Sequence, residues 1–219
     1  MAGKQPQAPY TKGEEIAHSV LHGVGILLSI GGLAVLVAFA ALAGSARAIV
    51  GVSVFGATLI LLYVASTLYH SIPWIPAKRV FRALDHAAIF LLIAGTYTPF
   101  TLVSLKGPWG WSLFGVIWGL AILGILFDLT PLGRWRPLRV VIYLAMGWLM
   151  VIAFRPLMHH LAPGGLVLLV LGGVAYSAGA LFYLWRRMPY NHAVWHAFVL
   201  AGSVLHYFAV LFYVVPARP

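Results

Sequence analysis

Seven apolar stretches, each long enough to cross a bilayer, constrain this chain more than any other feature. They run approximately over 18–43, 48–71, 82–105, 109–129, 138–156, 164–185 and 193–215, with short breaks rich in Pro, Gly, Lys or Arg between them. A membrane-spanning helix needs about 20 apolar residues. Inside the hydrocarbon every backbone polar group must be satisfied within the segment, which favours helices. The expected fold is therefore all-α, an integral membrane bundle of seven transmembrane helices. Seven spans use most of the 219 residues, so one membrane domain over 1–219 is expected, with a short tail over 1–15 and no second domain. Composition agrees, with 62% hydrophobic and only 8% charged residues, against about 25% charged in a soluble domain. Such a chain cannot cover a water-facing surface, which excludes a soluble enzyme. The first apolar run exceeds the roughly 7–15 residues of a signal sequence, so it reads as a retained helix.

Loop charges predict the orientation. The N-terminal tail and the even-numbered turns hold Lys4, Lys12, Lys78, Arg79, Arg82, Arg134, Arg136, Arg139, Arg186 and Arg187, ten of the fourteen basic residues. Arg47, Lys106, Arg155 and Arg218 fall on the other side. The positive-inside rule then places the N-terminus in the cytoplasm and the C-terminus outside, in the cell's inner (plasma) membrane. The formal net charge of +10 is accounted for by topology and needs no nucleic-acid partner. Cysteine is absent, so disulfides, thiolate ligands and a cysteine nucleophile are excluded.

Ionisable residues within spans are functional candidates by default. With this orientation His70 lies at the cytoplasmic end of the second span, with Ser66 one turn deeper. Asp85 lies about one turn into the third span from the same side, and the seventh span opens with His192 and His196. Ser66/His70 and His192/His196 are i, i+4 pairs, which share a helix face. Five polar residues on three helices thus share one depth. Two histidines on one face and a third from a neighbour can give a tetrahedral metal three nitrogens, leaving one position for water, the pattern of catalytic zinc. Nickel, copper and iron also accept imidazole. Asp85 can orient or deprotonate such a water, or hold a ligand histidine in its tautomer. Ser66 can hydrogen-bond the water or a substrate oxygen. By spacing alone, H-x3-H equally fits interfacial histidines bonded to backbone carbonyls.

Other polar residues carry less. His18 and His22 form a second i, i+4 pair at the start of the first span and read as a polar entrance or an outer layer of the site. His86 points about 100° away from Asp85 and reads as a packing or water contact. His206 lies about 15 Å further along its helix than His196, too far to share an ion, and reads as a buried hydrogen-bonding residue. His159 and His160 read as solvated in an external turn. Thr96, Thr98 and Pro99 predict a local bend in the third span. Gly115 and Gly119 fit either a close helix approach or an ordinary glycine-rich span.

The segments Ser66-Thr67-Leu68-Tyr69-His70, Leu84-Asp85-His86-Ala87-Ala88-Ile89, Leu92-Ile93-Ala94-Gly95-Thr96-Tyr97-Thr98-Pro99, Asn191-His192-Ala193-Val194-Trp195-His196 and Val204-Leu205-His206-Tyr207 together resemble the hemolysin III family. That family belongs with the progestin and adipoQ receptors, which include the adiponectin receptors, and this chain looks like a bacterial member. The resemblance covers essentially all seven spans. It implies a cytoplasmic N-terminus and one zinc ion near the cytoplasmic face, held by His70, His192 and His196, with Asp85 and Ser66 around the bound water. The chain lacks the long N-terminal region of the animal receptors, so their hormone ligands do not carry over. The resemblance is compatible with a membrane metallohydrolase acting on lipid amides or esters, as proposed for relatives and as in seven-helix ceramidases, with a role in membrane lipid homeostasis. A non-enzymatic membrane sensor with structural zinc and a cytolysin are the alternatives. Membrane lipids are the expected partners.

Overall fold

The computed structural model describes residues 10–105 and 107–216. Residues 1–9 of the expected tail, including Lys4, and Lys106 and Arg218 from the charge count lie outside them. The described residues form seven helices long and apolar enough to cross a membrane: α1 (Lys12–Leu42), α2 (Ala46–Ser71), α3 (Ile75–Leu105), α4 (Gly107–Asp128), α5 (Arg136–His160), α6 (Pro163–Leu184) and α7 (Asn191–Val214). Among the described residues there is no strand. The chain is a multi-pass all-α membrane protein.

Helix edges differ from the hydropathy reading where local chemistry starts a helix before its apolar run. Thr11 caps α1: its hydroxyl accepts from the Glu14 amide at 3.3 Å, and the Glu14 carboxylate accepts from the Thr11 amide at 2.8 Å. This reciprocal pair satisfies two otherwise orphaned donors, so α1 begins well ahead of residue 18. The segment Ile72–Arg79 reads as a break in the sequence, yet α3 already starts at Ile75, with Pro76 in its first turn. Proline fits there because its missing N–H has no partner to lose. Lys78, Arg79 and Arg82 therefore ride on the first turns of α3, ahead of its apolar length. Helix α5 runs on to His160 through a tighter 3-10 stretch at Trp148–Ala153. His159 and His160 thus end a helix, and both are exposed.

The bundle is inside-out relative to a soluble protein. Leu27, Leu42 and Leu181 are at least 70% exposed, as expected for side chains that meet lipid. Helix α3 is central: 83% of its most apolar stretch is buried, against 22% for α1 and for α6. Close approach of α2 and α3 needs a glycine, because a Cβ on Gly95 would overlap the Thr58 side chain. Gly115 and Gly119 face open space, so that pair marks no tight contact. After Pro99 the α3 backbone loosens into π-helical turns over Phe100–Leu105. Thr96 and Thr98 bond back to the Leu92 and Ala94 carbonyls at 2.8 and 2.9 Å. The predicted irregularity is thus present, just past the proline. Helices α1, α3, α5 and α7 begin, and α2, α4 and α6 end, at one end of the bundle. That N-terminal end carries the site.

Candidate metal centre

The Thr11 cap sets the register of α1 and so puts Glu15, His18 and His22 on one helix face. That face meets the end of α2 and the start of α7. His18, His22, His70, His192 and His196 are all buried. The rings of His18, His70, His192 and His196 pack as a cluster in which every pair of centroids is 4.4–5.3 Å apart. One ring nitrogen each from His18, His70 and His196 lies within 4.8 Å of the other two. His192 packs against all three. His22 sits behind them, with its Nε2 2.6 Å from His196 Nδ1.

Hydrogen bonding decides which nitrogens are free. His70 Nδ1 lies 2.6 Å from Glu15 Oε2. A carboxylate only accepts, so His70 donates through Nδ1 and keeps a lone pair on Nε2. Glu15 is held in turn by Lys78, at 2.7 Å from Oε1. Among the described residues, the Nε2 atoms of His18, His70 and His196 and both ring nitrogens of His192 are buried without a hydrogen-bond partner. Each such orphan costs about 1–3 kcal/mol, and several orphaned imidazole nitrogens in one cluster are hard to sustain unless something binds them. An all-imidazole donor set with free lone pairs fits a transition-metal ion. The Glu15–His70 pair has the carboxylate–histidine arrangement that orients metal ligands.

The sequence-predicted ligands His70, His192 and His196 all lie in the ring cluster, but the group of three ring nitrogens within 4.8 Å of one another takes His70 and His196 together with His18 and leaves out His192. His18, read from spacing as an entrance, lies in the cluster as a fourth ring. Asp85 and Ser66 are buried close by. The Ser66 hydroxyl has no partner among the described residues. Asp85, His192 and His196 line a cavity of about 190 Å³. One water needs about 10–15 Å³ by the same measure, so there is room for a ligand group and several waters.

Two contributors escape the sequence reading. Glu15 carries a weak signal: it is one of four acidic residues and stands three positions before His18. Tyr10 carries none, yet its ring stacks on His192 at 5.1 Å and meets His18 edge-on at 4.8 Å. His86 departs from its packing or water role, because it joins an ion network. Its Nδ1 lies 2.9 Å from Arg139 and 3.4 Å from Asp128, and Arg139 donates to Asp128 at 2.8 Å. Arg139, counted among the loop charges, is buried in that network. His206 is buried and bonded to the Leu169 carbonyl at 3.0 Å through Nε2, the role its position suggests.

Residues 10–207 match the family model described as Haemolysin-III related. The chain is 49% identical over 203 residues to Hemolysin-3 of Bacillus cereus, covering 93% of each chain. It is 49% identical over 206 residues to the Hemolysin-3 homolog of Bacillus subtilis (strain 168), covering 94% of this chain and 97% of that one. A more distant relative is Heptahelical transmembrane protein ADIPOR2 of Oryza sativa subsp. japonica, 30% identical over 158 residues, 61% of this chain and 68% of that one. No solved structure matches.

Proposed function

The chain belongs to the haemolysin-III related family, and we propose that it is a zinc-dependent membrane hydrolase of lipid amide or ester bonds, serving membrane lipid homeostasis. The observation that carries this reading is the buried cluster of imidazoles with unpartnered nitrogens beside a cavity that Asp85 also lines. His70, His192 and His196 are the proposed ligands of one ion. Bound there, zinc supplies Lewis acidity towards a carbonyl and lowers the pKa of water. Glu15 fixes the His70 tautomer and leaves Nε2 free to bind. Asp85 orients the attacking water or takes its proton. Ser66, whose hydroxyl stands beside the Asp85 carboxyl, donates to a substrate oxygen. The basic residues gathered at the N-terminal end of the bundle support a cytoplasmic placement for it in the inner membrane; water then reaches the site from the cytosol and the lipid chain from the bilayer.

A second reading is favoured by one observation: His18 offers a fourth imidazole. Four protein ligands close a zinc site and make it structural, whereas three leave the open position that catalysis needs. That reading is a non-enzymatic membrane sensor. The relatives' printed name raises a third, a cytolysin.

Metal analysis of purified protein and its His18→Ala variant, with a lipid-hydrolysis screen, separates them. Full zinc occupancy in His18→Ala with turnover in wild type supports the hydrolase. Loss of zinc in His18→Ala with no turnover supports the sensor. Leakage of vesicles on adding the protein supports the cytolysin.

A further inference from the structure

The cavity beside the imidazoles has a wall that hydrolysis leaves unused. Arg82 of α3 and Arg136 of α5 both line it. Lys78 and Arg139, nearby, are matched by Glu15 and Asp128 at 2.7 and 2.8 Å. Arg82 and Arg136 have no carboxylate within ion-pair distance among the described residues.

Arg136 is nonetheless held in place. Its guanidinium stands 4.9 Å over the Tyr183 ring and beside the Tyr10 phenol. The same two aromatic rings flank His192, at 5.5 and 5.1 Å. Arginines that serve topology alone belong to exposed turns. Arg186 and Arg187, exposed between α6 and α7, are of that kind. Arg136 is half-buried, and Arg82, although exposed like those two, differs from them in lining the cavity that also contains Asp85, His192 and His196. Further along, the cavity is lined by apolar side chains, including Ile89, Ile93 and Leu144.

We propose that Arg82 and Arg136 form an anion subsite in this cavity, which takes the phosphate group of an anionic amphiphile and sets its chain against Ile89, Ile93 and Leu144. A guanidinium fork matches phosphate oxygens with two parallel hydrogen bonds. Two forks and the Tyr10 hydroxyl suit a group that presents three outward oxygens. Stacking on Tyr183 holds one fork in advance, so less side-chain freedom is lost on binding. The proposal deepens the hydrolase reading by naming the headgroup, and rests on it only for the bond then cleaved.

The test uses the full chain in phosphatidylcholine nanodiscs, titrated with oleoyl lysophosphatidic acid, oleoyl lysophosphatidylcholine or inorganic phosphate. Binding is followed by tryptophan fluorescence, since Trp195 and Trp148 line the cavity. Lysophosphatidic acid should bind about ten-fold or more tightly than the zwitterionic lipid of equal chain length, the worth of one or two charge-assisted hydrogen bonds. Arg136→Ala should remove that preference, Arg82→Ala should reduce it, and Arg136→Lys should keep part of it. The double variant Arg186→Ala/Arg187→Ala should keep it whole. Inorganic phosphate competing as strongly as the lipid would support the subsite with a soluble phosphate as its ligand. Equal binding of the two lipids, wild-type binding by Arg136→Ala, or an equal loss in the Arg186/Arg187 variant would each overturn the proposal. Zinc content is measured on every sample. Arginine-dependent binding in a protein that never holds zinc sinks the hydrolase reading alone. Zinc and lipid cleavage with binding indifferent to Arg136 sink this proposal alone.

Discussion

At the scale of single residues, the centre is a competition for imidazole nitrogens. Glu15 claims His70 Nδ1 at 2.6 Å and so directs Nε2 into the cluster. Outer partners of this kind change metal affinity by about 10–100-fold. Glu15→Ala should therefore weaken zinc binding by about that factor, read by competition with a chromogenic chelator. Glu15→Gln keeps an acceptor oxygen for His70 and should lose less. Equal affinity in wild type and Glu15→Ala would mean that Glu15 serves only Lys78. Asp85→Asn removes a base while keeping size and much of the hydrogen bonding. Turnover should fall by about 10² to 10⁴, the usual share of general acid–base catalysis, with zinc retained. Undiminished turnover in that variant would refute the base, and loss of zinc would make Asp85 a support of the ligands. Spacing made part of this centre legible, because the i, i+4 pairs at Ser66/His70 and His192/His196 set residues of two helices at one depth. Spacing could not show whether α1 turns His18 inward, since that depends on how α1 docks between α2 and α7. The Tyr10 contact belongs to a residue outside any helical pattern, which no periodicity marks.

At the scale of helices, hydropathy located seven elements in the right order because lipid imposes one length rule on all of them. It misplaced the starts of α1 and α3, where a capping pair at Thr11/Glu14 and a first-turn proline extend the helix into polar sequence. Those extra turns matter: the first carries Glu15 and the second carries Lys78, which together hold His70. Packing makes its own demand at Gly95, where α2 and α3 close on Thr58. Gly95→Ala should overpack that contact and cost about 1–3 kcal/mol, seen as a lower Tm in detergent. Gly115→Ala faces open space and should be neutral or slightly stabilising through its better helix propensity. A Tm drop of equal size in both variants would show that Gly95 has no special packing role.

At the scale of the whole molecule, the two ends of the bundle differ in kind. The N-terminal end gathers His18, His22, His70, His192 and His196, Asp85, the Asp128–Arg139–His86 network and most of the basic residues, while at the opposite end α3 and α7 finish in π-helical turns and α5 ends in the exposed His159 and His160. Reporter fusions should find the N-terminus in the cytoplasm and the C-terminus outside. An external N-terminus would put the basic end, the cavity and the imidazoles on the wrong side for a cytosolic water supply. The central claim is that the imidazole cluster holds one metal ion, and metal analysis of the purified chain beside its His70→Ala and His196→Ala variants tests it most directly. The account predicts close to one zinc per chain in wild type and loss of most of it in either variant. A wild-type chain without bound divalent metal, or variants that keep the full amount, would contradict it.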